Sequence, residues 1–264
     1  MSDDYQKNNG ETDWTEFSNM LDDLTKTARI SSALSYLRGD GVERDIEKGL
    51  AMVREAEETG YQCPEQEARL FASFAAQEAL QAWSAEDIQK AVKYWGLAAH
   101  WGDAESAFNL ANIYLSRGSG SSVNIKRAFE LLDFAAEGGM ERACLKLADL
   151  LYDGDIIPAD YRRAEQLYLK IAGNYASELH DQALYHLGLL YTHKLKDYEE
   201  AFFVWTALAD NGNSEAQFAL GSFYYDGLGV ERDMGQAKYW WGLAAKQGHQ
   251  QAINNLAVLH SEGL

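Results

Sequence analysis

Cysteine and proline are scarce in this sequence, and each shortage excludes a class of structure. The two cysteines, Cys63 and Cys144, lie far apart, so they cannot form the dense disulfide framework that holds small secreted domains together. We expect both thiols to be reduced. The two prolines, Pro64 and Pro158, fall between segments predicted to be helical, where they interrupt no helix.

Long apolar runs are missing as well. No stretch of 18 apolar residues occurs, so we expect no transmembrane helix. Residues 1–7 are polar and acidic, unlike the basic and then apolar start of a secretory signal, which excludes such a signal if Met1 is the true start. Together these features predict a cytoplasmic protein without membrane insertion.

Basic residues are few: 23 Lys and Arg face 41 Asp and Glu, for a net charge of −18. Such a charge repels nucleic acid and anionic membrane and favours a cationic partner. The sequence therefore predicts no nucleic-acid ligand and a protein partner with a basic patch. Solubility alone is the alternative explanation of the charge. Residues 1–13 are predicted to be a disordered acidic tail.

Motifs for catalysis and ligand binding are also lacking. There is no His-Glu-x2-His or Cys-x2-Cys spacing for zinc. The Gly-x-Gly turns lack the third glycine and the Lys-Ser/Thr ending of a phosphate loop. No Ser-His-Asp or Cys-His arrangement can be assembled. We predict no catalytic residue, no cofactor and no metal site.

What the sequence does contain is a repeat. Gly-Xaa-Gly-Val-Glu-Arg-Asp occurs at residues 39–45 and again at residues 227–233. A longer frame surrounds both copies and recurs in between, with starts spaced by 33 to 40 residues at Ser106, Ala143, Ala183, Ala216 and Ala252. Periods in this range are typical of helical repeat arrays.

Each copy predicts two helices, and no alternating strand pattern of convincing length occurs. Apolar residues recur at helical spacing in the first half, Asp45, Asp160 and Asp233 stand where an N-cap precedes the second helix, and a glycine such as Gly248 stands where that helix would end. Three tryptophans share one position of the second helix and are interpreted as packing between helices: Trp95, Trp205 and Trp241.

Two other tryptophans, Trp83 and Trp101, do not fit every copy, so either is a candidate for surface exposure. Trp101, beside His100 at the end of a second helix, is the better candidate for a partner contact.

The motif Ala-x3-Leu-Gly-x2-Tyr, Gly-x-Gly-Val-x2-Asp, Ala-x3-Trp-x2-Ala-Ala-x2-Gly is clearest over residues 216–248. It resembles the Sel-one-like repeat family, a relative of the tetratricopeptide repeat. The resemblance implies an all-α fold, a right-handed α-solenoid of stacked helix-turn-helix repeats with about six units and a terminal half-repeat. The implied solenoid is single and covers residues 14–264, with repeats at about 28–61, 64–103, 106–140, 143–176, 183–213 and 216–249 and a partial copy at 252–264. Departures from the pattern are a degenerate stretch at residues 64–84 and a shortened turn at residues 193–196.

The resemblance also implies a function, because members of this family bind other proteins, usually in a concave groove. We expect a non-catalytic scaffold or adaptor that uses a concave, acidic face. One alternative is an immunity or inhibitor protein that neutralises a cognate secreted toxin. A less favoured alternative is a hydrolase with its site in the degenerate stretch near Cys63.

The partner-binding residues are predicted from positions of the first helix, counted from its first residue as zero. Positions four and seven are apolar in every later copy and are predicted to be core. Positions three, six and ten vary, are often polar and share a helix face. We define the variable stripe as ten of these residues: Asn109, Asn112, Lys146, Asp149, Asp153, His186, Leu189, Ser222, Asp226 and Asn255. A merely solvated face is the alternative interpretation.

Overall fold

The computed structural model describes residues 14–117 and 122–261. The predicted tail at residues 1–13 and the last three residues of the partial repeat lie outside the described residues. Within them the chain forms thirteen α-helices, one π-helical segment and no strand, so the all-α prediction is confirmed. The helices are α1 (Trp14–Arg38), α2 (Ile46–Glu58), α3 (Glu65–Ser84), α4 (Ile88–His100), α5 (Ala104–Arg117), α6 (Ser122–Glu137), α7 (Glu141–Asp153), α8 (Tyr161–Ala172), α9 (His180–Leu189), α10 (Tyr198–Asp210), α11 (Ser214–Asp226), α12 (Met234–Lys246) and α13 (Gln250–Ser261), with the π-helical segment at Leu190–Leu195.

The chain divides into two compact units, Met1–Ala107 and Phe108–Leu264, and the division falls within α5. That the repeats form one continuous array over residues 14–264 stays a prediction. None of the helices in the described part of the chain is long and apolar enough to cross a membrane.

An aspartate links the two helices of a repeat in the same way in several copies: it caps the second helix and donates its own N–H to a carbonyl of the first. The Asp233 carboxylate accepts hydrogen bonds from the backbone N–H groups of Gly235 and Gln236 at the start of α12, and its own N–H donates to the Tyr224 carbonyl at 2.9 Å. Asp45 repeats both features with Lys48 and the Tyr36 carbonyl. The predicted N-caps are therefore confirmed, and each satisfies backbone donors that the helix leaves unpaired.

The shortened turn at residues 193–196 keeps the aspartate link between the two helices. The first helix of that repeat ends in the π-helical segment, and Lys196 then adopts a left-handed conformation with φ of 58°. The Asp197 N–H still donates to the Tyr191 carbonyl at 3.0 Å. The missing residues are absorbed by the wider π-helical turn and by a lysine in a conformation that glycine adopts more easily.

In the first unit the degenerate stretch forms α3, a regular helix whose Phe71 is fully buried. The ring of Phe71 lies 5.7 Å from that of Trp101. Trp101 is only 5% exposed and donates its indole N–H to Glu57 at 2.9 Å. The prediction of Trp101 as a surface contact was therefore wrong, because α3 covers it. Trp83 is 48% exposed, as expected for one of the pair.

In the second unit the predicted core positions are buried. Leu147, Leu187 and Leu220 are fully buried, while Leu256 in the last helix is half-buried. Trp205 and Trp241 are each 3% exposed, so their interpretation as packing residues is confirmed.

On the first helices α9 and α11, a glycine makes room for the indole of the second helix of the same repeat. A Cβ on Gly221 would lie 2.2 Å from Trp241, and a Cβ on Gly188 would lie 2.6 Å from Trp205. The Trp241 indole then reaches across α11 and donates its N–H to the Phe218 carbonyl at 3.1 Å. Small residue and large ring therefore form a matched pair that sets the distance between the helices.

Candidate functional site

All ten residues of the variable stripe lie on the first helices α5, α7, α9, α11 and α13 of the second unit. Eight of them are half-buried, and the two aspartates at position ten, Asp153 and Asp226, are exposed. Flanking residues at positions four and seven hold the helices together, which leaves the stripe residues as the variable surface of those helices. The structure brings two groups of them together.

The first group surrounds Asp149 on α7. The Asp149 carboxylate accepts a hydrogen bond from the Tyr168 hydroxyl on α8 at 2.7 Å and lies 3.5 Å from His186 Nδ1 on α9. The rings of Tyr168 and His186 are stacked, with centroids 5.3 Å apart and planes at 17°. Three helices thus meet at one carboxylate, and Asp149 and His186 are neighbours, as membership of one stripe requires.

Opposing effects act on the charge of Asp149. Burial raises the pKa of Asp149, and Asp153 raises it further, while the Tyr168 hydrogen bond, His186 and Lys146 oppose the rise. Burial also raises the pKa of Tyr168, with a further contribution from Asp149, so the phenol remains a neutral donor. Asp149 is therefore committed to contacts within the chain, whereas Asp153, one turn later, is exposed and available.

The second group lines a pocket of about 270 Å³ between α11, α12 and α13. Ser222, Asp226 and Asn255, three of the ten predicted residues, contribute to it, together with Tyr225 and Trp241. Position ten of one repeat and position three of the next thus share a cavity, which we call the end pocket.

The remaining stripe residues, Asn109, Asn112 and Leu189, are half-buried. Within the part of the chain that the structure describes, no hydrogen bond or ion pair connects them to the two groups. Two site residues were missed. Tyr168 occupies in its own repeat the position that Trp241 occupies in the last one, and it is fully buried. Tyr225 stands at position nine, three residues after Ser222, so helical spacing could have placed it on the same face.

The hydrolase alternative depends on Cys63, which is half-buried next to α3. Burial, followed by the charges of Glu57 and Glu67, raises the pKa of the Cys63 thiol to about 11. His100, which lines the same pocket as Cys63, lies 3.1 Å from Glu57 and is directed to that carboxylate. A catalytic cysteine requires a lowered pKa, so this environment opposes the chemistry that the alternative needs.

The raised pKa predicts slow alkylation of Cys63. Two pKa units above the ordinary value of 9.0 leave roughly a hundredfold less thiolate near neutral pH. Iodoacetamide labelling of the folded protein between pH 7 and pH 9, with peptide mass spectrometry to separate Cys63 from Cys144, should show a rate about a hundredth of that of a free cysteine peptide. A rate equal to the peptide's would contradict the assigned environment.

Among the described residues, no group of three or more His, Cys, Asp and Glu side chains is arranged to hold a metal ion. The polar groups that the structure brings together in the variable stripe are hydroxyls, carboxylates and amides. Such an arrangement is suited to recognition of another molecule.

Comparison with known proteins decides the family. The family model of the Sel1 repeat matches residues 30–60, 84–103, 104–140, 141–173 and 214–249. The chain belongs to the Sel1 repeat family. The resemblance inferred from the motif is thus confirmed. Residues 183–213, the copy with the shortened turn, lie outside the matched ranges.

Two curated relatives share part of the array. The ERAD-associated E3 ubiquitin-protein ligase component HRD3A of Arabidopsis thaliana is 35% identical over 66 residues, which are 25% of this chain and 10% of the relative. The protein sel-1 homolog 2 of Homo sapiens is 35% identical over 72 residues, which are 27% of this chain and 10% of the relative. The match spans about a tenth of the length of either relative.

Among solved structures, a protective antigen present in uropathogenic Escherichia coli strains and displaying an SLR fold superimposes with a TM-score of 0.57. It is 21% identical, and the alignment covers 96% of this chain and 52% of that protein. The similarity is one of fold, and the predicted α-solenoid of Sel1-like repeats is confirmed.

Proposed function

We propose that this protein is a non-catalytic scaffold that binds a protein partner through the variable stripe of its second unit. One observation carries the proposal. The ten stripe residues vary from repeat to repeat while the neighbouring positions remain buried and apolar, and two groups of stripe residues converge, at Asp149 and at the end pocket. A surface of this kind is how repeat arrays achieve recognition on a common frame.

Charge supports a basic partner. The chain has a net charge of −18, and the stripe carries three aspartates against one lysine. Because Asp149 is held by Tyr168, the exposed Asp153 and Asp226 are the carboxylates that would meet a partner. Complementary charge speeds encounter and selects among partners.

The helices also support a preformed surface. Stripe residues are carried on helices whose opposite sides are buried, so little backbone order has to be gained on binding. A preorganised surface loses less conformational entropy than a flexible one. The concave shape of this face stays a prediction, as does the cytoplasmic location.

A capture experiment with matched variants tests the proposal. The full chain, the variant Asp153→Lys with Asp226→Lys, and the control Glu199→Lys with Glu200→Lys are each immobilised and exposed to a lysate of the source cells. The control changes the net charge by the same amount at two exposed residues of α10, a second helix. We expect a protein that the full chain and the control retain and that the stripe variant loses. Equal retention by all three proteins would show that the variable stripe does not bind the partner.

The toxin-neutralising alternative stays a prediction from the family resemblance. It requires the captured partner to be a secreted toxin whose activity falls on binding. Mass spectrometry of the captured protein decides between that role and a scaffold.

A further inference from the structure

The end pocket is lined by apolar and aromatic residues as well as by residues of the variable stripe. Its walls are apolar where Val258 and Leu259 of α13 line it, and aromatic where Tyr225 and Trp241 line it. Asp226 is its one charged lining residue and is exposed, which places the carboxylate where a ligand would arrive. The pocket is thus apolar along its sides and negative at one point.

The hydrogen-bonding groups of the end pocket offer mainly acceptors. The Trp241 indole N–H is already used by the Phe218 carbonyl, and the Ser222 hydroxyl donates to the same carbonyl at 3.1 Å. What remains for a ligand is the Asp226 carboxylate, the lone pairs of Ser222, the amide of Asn255 and the hydroxyl of Tyr225. A ligand group rich in donors and without acceptors matches this set, and guanidinium and ammonium are the protein groups with that property.

Size restricts the ligand further. The volume of about 270 Å³ lies just below the roughly 300 Å³ at which pockets for whole small molecules begin. It suits one long side chain, whose aliphatic part would pack on Val258 and Leu259 while its charged end reaches Asp226. The aromatic ring of Tyr225 also lines the pocket, and aromatic rings attract cations.

The chain itself shows that this ring accepts a cation. The guanidinium carbon of Arg232 lies 5.5 Å from the centroid of the Tyr225 ring, although Arg232 is not part of the pocket lining. Its charge lies close enough to oppose a second cation. Removal of the Arg232 charge should therefore not weaken the binding of a cationic ligand.

We propose that the end pocket binds one arginine or lysine side chain of a partner. That the side chain belongs to a partner protein rests on the proposed function, whereas the preference of the pocket for a long cationic side chain does not. The pocket would then fix the register of the partner along the stripe, because a single deep contact positions the surrounding shallow ones.

The test uses the full chain and small probes, so it needs no identified partner. N-acetyl-arginine methylamide, its lysine counterpart and the neutral citrulline counterpart are titrated at constant ionic strength into the isotope-labelled protein. The Trp241 indole and the Asn255 side-chain amide report binding by NMR. We expect weak, saturable shifts with arginine or lysine, whichever fits better, and none with citrulline.

Variants check that the signal arises at the pocket. Asp226→Asn should weaken cation binding roughly two- to fivefold, the range for an exposed ion pair. Arg232→Gln should leave the affinity unchanged or increase it. Citrulline shifts equal to those of arginine, no saturable shift with either cation, or an unchanged affinity in Asp226→Asn would each overturn the proposal. Any of these results leaves the capture experiment unaffected, so failure here is distinguishable from failure of the proposed function.

Discussion

Replacing Trp241 with alanine should lower the free energy of unfolding by about 3–5 kcal/mol, the usual range for removal of a buried aromatic ring. The side chain is 3% exposed and lies 5.4 Å, centroid to centroid, from Tyr225. Its indole N–H is the donor to the Phe218 carbonyl. The substitution would leave a cavity against Gly221, which has no side chain to fill it. Urea denaturation followed by circular dichroism measures the change.

Trp83→Ala is the matched control, because it removes the same ring from a position that is 48% exposed. Its only described ring partner is Trp95, at 5.4 Å. We expect a loss well below half of that for Trp241→Ala. A loss under about 1 kcal/mol for Trp241→Ala would show that the indole does not pack as described and would remove the repeat interpretation of that position.

Replacing Gly221 with alanine should destabilise the protein by about 1–3 kcal/mol, although alanine favours helices by about 1 kcal/mol over glycine. Two effects compete, and the distances decide between them. The new Cβ would lie 2.2 Å from Trp241 Cδ1 and 2.4 Å from its Nε1, and that ring is buried and cannot swing into solvent. Steric overlap therefore outweighs helix propensity.

Gly242→Ala should change the stability in the opposite direction. Gly242 lies inside α12, and a Cβ there would meet no atom within 4 Å. Only helix propensity acts, so we expect a stabilisation of about 0.5–1 kcal/mol. The same denaturation measurement compares the two variants. Stabilisation of both would show that α11 and α12 do not approach as closely as the matched glycine and tryptophan imply.

Much of the fold could be predicted because the repeat encodes it locally. The N-cap aspartates and the terminal glycines satisfy backbone groups that every helix leaves unpaired, and such requirements are visible in a short window. Gly248, which was predicted to end a second helix, has positive φ, and so do the glycines at the same position of four other repeats: Gly60, Gly102, Gly139 and Gly212.

Contacts between distant segments could not be predicted in the same way. Trp101 was a candidate for surface exposure because it does not fit every copy of the repeat, yet Phe71 of α3 packs on it. Asp149 was expected to contact a partner, and the structure shows it held by Tyr168 and His186 from two other helices. A single sequence places a residue on a helix face but does not say which side chains of other helices compete for it.

In the candidate site, too, the helix faces could be predicted but the contacts between helices could not. Helical spacing placed Ser222 and Asp226 on one face of α11, and the repeat frame placed Asn255 at the corresponding face of α13. Their convergence on one cavity depends on how α12 and α13 pack beside α11, and Trp241 of α12 lines that same cavity. That arrangement is a property of packing and not of any one repeat.

The most direct test of the central claim is the affinity of the captured partner for three purified proteins, measured by calorimetry. If the variable stripe is the binding surface, Asp153→Lys with Asp226→Lys weakens binding by roughly tenfold or more, equivalent to about 1.4 kcal/mol. The control Glu199→Lys with Glu200→Lys then binds like the unmodified chain. Equal affinities for all three, or a larger loss in the control than in the stripe variant, would contradict the account.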